Sequence, residues 1–102
     1  RQLDGSRSPF DQLKTIVDAV GGKIEIIVDG GIRRGTHVLK ALSLGATACS
    51  FGKGFLFALS AGGQKGVEMI LQRMKEELRR DMILLGKKKI EDLSEENIAI
   101  RN

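Results

Sequence analysis

The sequence contains no tryptophan and no tyrosine, and it has only one cysteine. The single cysteine, Cys49, rules out an internal disulfide framework and favours a reducing compartment. With phenylalanine as the only aromatic residue, the chain offers little surface for stacking nucleic-acid bases. Its apolar runs all fall short of the roughly 20 residues that span a bilayer, and it opens without a signal-peptide pattern. These shortages favour a cytoplasmic globular protein.

Positive charge is in modest excess, with a net charge of +4. Bases alternate with acids in the stretch QRMKEELRRDM, which is typical of a solvated helix face. We therefore interpret Glu76, Glu77 and Asp81 as solvated side chains without a catalytic role. The one basic run, KKK at residues 87–89, is too short to attract nucleic acid. No nucleic-acid partner and no metal site are predicted.

The first half of the chain predicts a helix, a strand and a second helix. The first helix lies in SPFDQLKTIVDAVGG, with Ser8 as its N-cap and Pro9 in its first turn. A short β-branched run then predicts a strand near residues 24–28, buried on both faces of a sheet. The next helix is predicted to begin with Thr36 as its cap and to end at Gly45.

The second half predicts another strand, a short helix and a long one. The strand is expected near residues 46–51, with Cys49 buried in it, and the short helix in GFLFALSAGG. Apolar residues at helical spacing predict the long amphipathic helix near residues 64–85. Strands that alternate with helices predict parallel βα units. Because a complete (β/α)8 barrel needs about 250 residues, the chain is expected to be an α/β piece of such a barrel, roughly its last third.

Two glycine-rich turns, DGGIRRG and FGKG, follow the two predicted strands. Ligands of parallel α/β folds lie at the carboxyl ends of the strands, and barrels often bind a phosphate between the last two loops and a short helix. Glycines such as Gly30, Gly31 and Gly52 let the backbone approach an oxyanion closely. Arg33 or Arg34 can add a two-pronged contact. The pair of turns therefore favours a phosphate site.

Other interpretations of these turns remain. Neither motif has the spacing of a G-x-G-x-x-G loop or of a P-loop, and the glycines could simply make tight turns. Asp29, at the end of the first strand, can accept a hydrogen bond from a ligand hydroxyl or shape the turn, and the first role is favoured. His37 lies in the first turn of a helix, where a surface or capping role is favoured over contact with a phosphate.

The motifs RQLDG, DGGIRRGTHVLKALSLGA and GGQKGVE together resemble the C-terminal part of the FMN-dependent α-hydroxy-acid dehydrogenases and oxidases. The resemblance covers residues 1–93, leaving 94–102 as a polar tail, and implies units six to eight of a (β/α)8 TIM barrel. It implies FMN as the cofactor. The residues that would hold its phosphate and ribityl chain are Asp29, Gly30, Gly31, Ile32, Arg33, Gly52 and Lys53, the last in place of a family arginine.

The same resemblance implies the reaction and the substrate contact. Arg1 would match the arginine that grips the substrate carboxylate, and the family's catalytic histidine lies three residues before it, outside this chain. The implied reaction oxidises an L-2-hydroxy acid of the L-lactate or glycolate class to the 2-oxo acid. The isolated chain is therefore expected to be inactive.

The resemblance also implies partners. The missing N-terminal part of the barrel would complete the site. The intact enzyme would be a homo-oligomer, either cytoplasmic or peripherally associated with the inner membrane. The alternatives are an inactive partial barrel and another phosphate-binding barrel of the inosine-monophosphate-dehydrogenase type. RQLDG and the long helix after AGGQKG argue against the second alternative.

Overall fold

A computed structural model describes residues 3–101; Arg1, Gln2 and Asn102 lie outside the described part. Helices and strands alternate along the chain, as predicted. Their order is α1 (Pro9–Val20), β1 (Ile27–Asp29), α2 (Gly35–Ser43), β2 (Ala48–Ser50) and α3 (Lys53–Leu84), followed by single 3-10 turns at Ile90–Asp92 and Glu95–Asn97.

The two strands form a parallel pair, which confirms the prediction of parallel βα units. Val28 is aligned with Cys49, and Asp29 with Ser50. Each strand has three residues and is shorter than predicted. Because Asp29 and Ser50 are aligned at the ends of their strands, the turns that follow them leave from the same edge of the sheet.

The prediction that the first strand is buried on both faces is wrong. Val28 is only 4% exposed, and it packs with core residues from all three helices. Its neighbour Ile27 points to the other face and is 64% exposed, as is Ile24 just before the strand. The helices of the described chain therefore cover one face of this strand pair and leave an apolar face open.

The buried core joins the strands to the helices. Ser8 caps α1 as predicted, its hydroxyl accepting a hydrogen bond from the Asp11 amide at 3.2 Å, and Pro9 is the first helical residue. Side chains from each element meet behind the sheet, and removing them from water stabilises this arrangement. The core cluster comprises Leu13, Val28, Ile32, Ala41, Ala46 and Met74.

Helix α3 is broken in its first third. Gly63 has φ 59° and ψ −145°, a conformation that L-residues other than glycine rarely adopt. The break separates a short helical part, residues 53–62, from a long one, residues 64–84. This matches the predicted short helix followed by a long one, with the first beginning at Lys53. Among residues 3–101, none of the helices combines the length and apolar character that a membrane span requires.

The start of α2 lies directly against α3. A Cβ added to Gly35 would be 2.7 Å from the Leu78 backbone nitrogen and 2.8 Å from Glu77 Cβ, and it would also collide with the Met74 carbonyl. The prediction that Thr36 caps this helix is wrong, because the helix begins at Gly35 and its first amide donates to the Glu77 carboxylate at 3.1 Å. The Thr36 hydroxyl instead donates to Asp81 at 2.6 Å.

The interpretation of Glu77 as a solvated residue is therefore also wrong. Glu77 is 6% exposed and binds Arg34 at 3.2 Å and Arg73 at 3.3 Å. Asp81 is also partly buried by its contact with Thr36. Helical spacing explains both positions, because residues 70, 74, 77 and 81 lie on one face of α3.

We expect Gly35→Ala to lower the free energy of unfolding by about 3 kcal/mol or more, because the added methyl group collides with the backbone of α3 and cannot be relieved by a rotamer change. Urea denaturation measures this loss. Gly62→Ala is the matched control, since a Cβ added at that position would meet nothing within 4 Å. Equal midpoints for Gly35→Ala and the unsubstituted chain would contradict the close contact between α2 and α3.

Candidate phosphate site

The two glycine turns leave the same edge of the strand pair. DGGIRRG continues from the end of β1 and FGKG from the end of β2. The Ser50 hydroxyl donates a hydrogen bond to the Asp29 carboxylate and joins the two strand ends. The structure therefore gives Asp29 a role in shaping this edge, while its contact with a ligand hydroxyl stays a prediction.

The first turn has a backbone that only glycine adopts easily. Gly30 has φ 104° and Gly31 has φ 77°, both in the left-handed region. No atom lies within 4 Å of a Cβ placed on Gly31, so its backbone faces open space. The next residue, Ile32, is 2% exposed and anchors the turn in the core. The turn thus presents its main chain at the sheet edge, while the Ile32 side chain faces the core.

The second turn leads directly into the start of α3. Gly52 is the N-cap and supplies no side chain to the free amides, and the first helical bond runs from the Leu56 amide to the Gly52 carbonyl at 2.9 Å. The amides of residues 53–55 therefore precede the hydrogen-bonded helix. A Cβ on Gly52 would also meet nothing within 4 Å. Such a helix start, with Lys53 as its first residue, suits an anion.

The two adjacent arginines are placed differently. The Arg34 guanidinium binds the buried Glu77, with Nε at 3.2 Å and Nη2 at 3.5 Å from its carboxylate oxygens. Arg33 is exposed, and its backbone amide donates to His37 Nδ1 at 3.2 Å. Of the two alternatives left by the sequence, Arg33 is the one whose side chain is not engaged by Glu77.

His37 acts as a local cap for this turn, which fits its expected role. Burial lowers the pKa of its imidazole below the ordinary value of 6.5, and the positive charges of Lys40 and Arg34 lower it further. The ring is therefore neutral near pH 7, and its Nδ1 lone pair accepts the Arg33 amide.

Glu77 is the residue at this site that sequence reasoning missed. Burial raises the pKa of its carboxyl, but the hydrogen bond and charge of Arg34, the Gly35 amide and Arg73 outweigh burial and hold the pKa below 4.5. Glu77 is therefore an anion at neutral pH. Its position three residues after Met74, on the apolar stripe of α3, was the available signal.

Cys49 lies in β2 as predicted, although it is half-buried rather than buried. Burial raises the pKa of its thiol, which disfavours the nucleophilic thiolate. Arg1 lies outside the described residues, so its predicted contact with a substrate carboxylate stays a prediction.

The described residues fit a phosphate group. Two left-handed glycines, a helix start without a capping side chain, and two cationic side chains, Arg33 and Lys53, follow neighbouring strand ends. Each feature binds anions in proteins, and together they can surround one. Convergence of the two side chains on one point stays a prediction.

Comparison with known proteins identifies relatives of the whole chain. The profile of the FMN-dependent dehydrogenase family matches residues 1–100. L-lactate oxidase of Nostoc sp. is 45% identical over 93 residues, which are 91% of this chain and 26% of that protein. Human 2-hydroxyacid oxidase 1 is 50% identical over 86 residues, 84% of this chain and 23% of that protein.

The fold is also found in solved structures. The recombinant flavin-binding domain of baker's yeast flavocytochrome b2 superimposes with a TM-score of 0.87 at 38% identity, over 100% of this chain and 30% of that one. The chain therefore spans about a quarter of the length of the relatives it matches.

We expect the free energy of unfolding to fall as the pH drops below 6.5, the ordinary pKa of histidine. Because the pKa of His37 is lower in the folded state, the unfolded chain takes up its proton first, and the stabilisation present above pH 6.5 is lost as the pH falls through the folded pKa. Urea denaturation between about pH 5 and 8 measures this slope. His37→Gln is the control, and an equal slope for both proteins would exclude His37 as its source.

Proposed function

The chain belongs to the FMN-dependent dehydrogenase family, and we propose that it is the FMN-phosphate-binding part of an enzyme that oxidises L-2-hydroxy acids. The observation that carries this proposal is the pair of glycine turns at one sheet edge, one of them opening α3 without a capping side chain. The relatives named for L-lactate and 2-hydroxyacid oxidation support L-lactate or glycolate as the class of substrate.

Each residue of the site has a proposed task. The planar guanidinium of Arg33 binds two phosphate oxygens, while the ammonium of Lys53 contributes a point charge. The amides after Gly31 and Gly52 donate to the same oxygens, and Asp29 accepts a hydrogen bond from the ribityl chain. Bound FMN supplies the two-electron acceptor of the reaction.

The substrate lies beyond the described residues. We propose that Arg1 holds its carboxylate. A histidine supplied by the preceding part of the enzyme takes the substrate proton as a general base. In this proposal the described residues hold the anion site, and Arg1 and the preceding part of the enzyme complete the catalytic centre.

The remainder of the barrel is the proposed partner of the open sheet face. Ile27 is 64% exposed there, and further barrel strands would remove it from water. We propose that residues 1–93 correspond to barrel units six to eight and residues 94–102 to a polar tail. The intact enzyme is proposed to be a homo-oligomer, in the cytoplasm or peripherally bound to the inner membrane.

We expect Arg33→Ala in the full-length enzyme to weaken FMN binding by roughly 10- to 150-fold, because a charge-assisted hydrogen bond contributes about 1.5–3 kcal/mol. Lys53→Arg should retain or improve binding, since a guanidinium fork meets two phosphate oxygens. Flavin retention after gel filtration measures both effects. Arg79→Ala, which removes an exposed cation from α3, is the matched control. Unchanged retention in Arg33→Ala and Lys53→Ala, singly and together, would mean that both residues only shape turns.

We expect the isolated 102-residue chain to show no dye reduction with L-lactate or glycolate. Loss of a general base alone removes about 10²–10⁴ in rate, and most of the flavin pocket is absent as well. The full-length enzyme should be active in the same assay and should require added FMN after the flavin is stripped. Substrate-dependent turnover by the isolated chain would refute this division of the site.

A further inference from the structure

Two helices start near the same edge of the strand pair, and they differ in what meets their free amides. At the start of α2, the Gly35 amide donates to the Glu77 carboxylate at 3.1 Å. At the start of α3, the N-cap Gly52 has no side chain, and no side-chain capping bond is formed. A helix start attracts anions through its amides and its dipole. Glu77 therefore closes one of two potential anion sites and leaves the other open.

The adjacent arginines are divided in the same way. Glu77 binds Arg34 through Nε at 3.2 Å, and this pair joins residues 43 positions apart in the chain. Arg33 stays exposed, with its backbone fixed by His37. An anionic Glu77 would repel a phosphate from the start of α2 and hold Arg34 toward α3. The same carboxylate thus engages one of the two arginines and one of the two helix starts.

We propose that Glu77 is a positioning residue for the cofactor phosphate. By binding Arg34 and the Gly35 amide, it fixes the chain that follows the glycine turn, so that Arg33 and the start of α3 meet the phosphate. This inference rests on the proposed function, because it concerns the same FMN site. Glu77 does not touch the cofactor and acts only through the segment of residues 33–35.

Comparison of FMN with riboflavin tests this role, because riboflavin lacks the phosphate. Both dissociation constants are measured on the full-length apoprotein by quenching of flavin fluorescence. In Glu77→Gln, which keeps the side-chain shape and an oxygen for Gly35, the FMN dissociation constant should rise roughly 10-fold or more, the effect of one charge-assisted hydrogen bond. The riboflavin constant should change by less than about 2-fold.

Two further variants complete the comparison. Arg73→Ala removes the other arginine partner of Glu77. Because the Arg73 side chain is 76% exposed, this variant should leave both constants within about 2-fold of the unsubstituted enzyme. Glu77→Asp keeps the charge but is one methylene shorter, so that it cannot reach Arg34 and Gly35 together. If Glu77→Gln does not fold, Glu77→Asp should show the same selective loss of FMN affinity.

The outcomes separate the possible roles. A parallel loss of FMN and riboflavin affinity would overturn the proposal and leave Glu77 a purely structural residue, and so would two unchanged constants. If the unsubstituted apoprotein binds FMN and riboflavin equally, and Arg33→Ala changes neither constant, the proposed phosphate site itself is wrong.

Discussion

The buried Glu77 carboxylate joins the start of α2 to the middle of α3, and the geometry of the candidate site depends on this contact. Removing a carboxylate from water is costly, and here Arg34, Arg73 and the Gly35 amide compensate it. The contact also requires glycine at position 35, because α2 begins against the backbone of α3. The segment between β1 and α2 is consequently fixed at both ends, by the sheet and by α3.

The groups presented at the sheet edge, where β1 and β2 end, depend on how the two strands and the following turns are held. Parallel pairing brings both strand ends to the same side, and Ser50 joins them through the Asp29 carboxylate. Gly30 and Gly31 then present main chain rather than side chain. The main-chain amides at this edge therefore have positions that are set by the fold. Such preorganisation reduces the ordering that binding would otherwise require.

The basic side chains near this site differ in whether they are paired with an acidic residue. Arg33 and Lys53 are exposed cations, whereas the Arg34 guanidinium, although also exposed, is paired with the buried Glu77. Charge and reach alone cannot separate the members of an Arg-Arg pair; in the sequence, only the family resemblance pointed to Arg33. Burial of a single carboxylate on a neighbouring helix separates them.

The sequence by itself determined the order of the elements, the parallel arrangement, the Ser8 cap and the turns that follow the two strands. These features depend on residues close together in the chain: the apolar period, a capping hydroxyl, and glycines where the backbone takes a positive φ. The family was also accessible from sequence, because its motifs RQLDG, DGGIRRGTHVLKALSLGA and GGQKGVE are recognisable without the structure.

Only the tertiary structure decided the cap of α2, the burial of Glu77, the different environments of Arg33 and Arg34, and the exposed face of β1. The Arg34–Glu77 contact spans 43 positions, and such a contact exists only when two helices pack closely enough to exclude water. Ile27 is the opposite case, an apolar residue that is exposed rather than a charged residue that is buried. Its β-branched side chain predicts a buried strand, but its exposure depends on which elements cover that face. Local patterns fix the conformation of a segment, whereas burial and charge pairing depend on what packs against it.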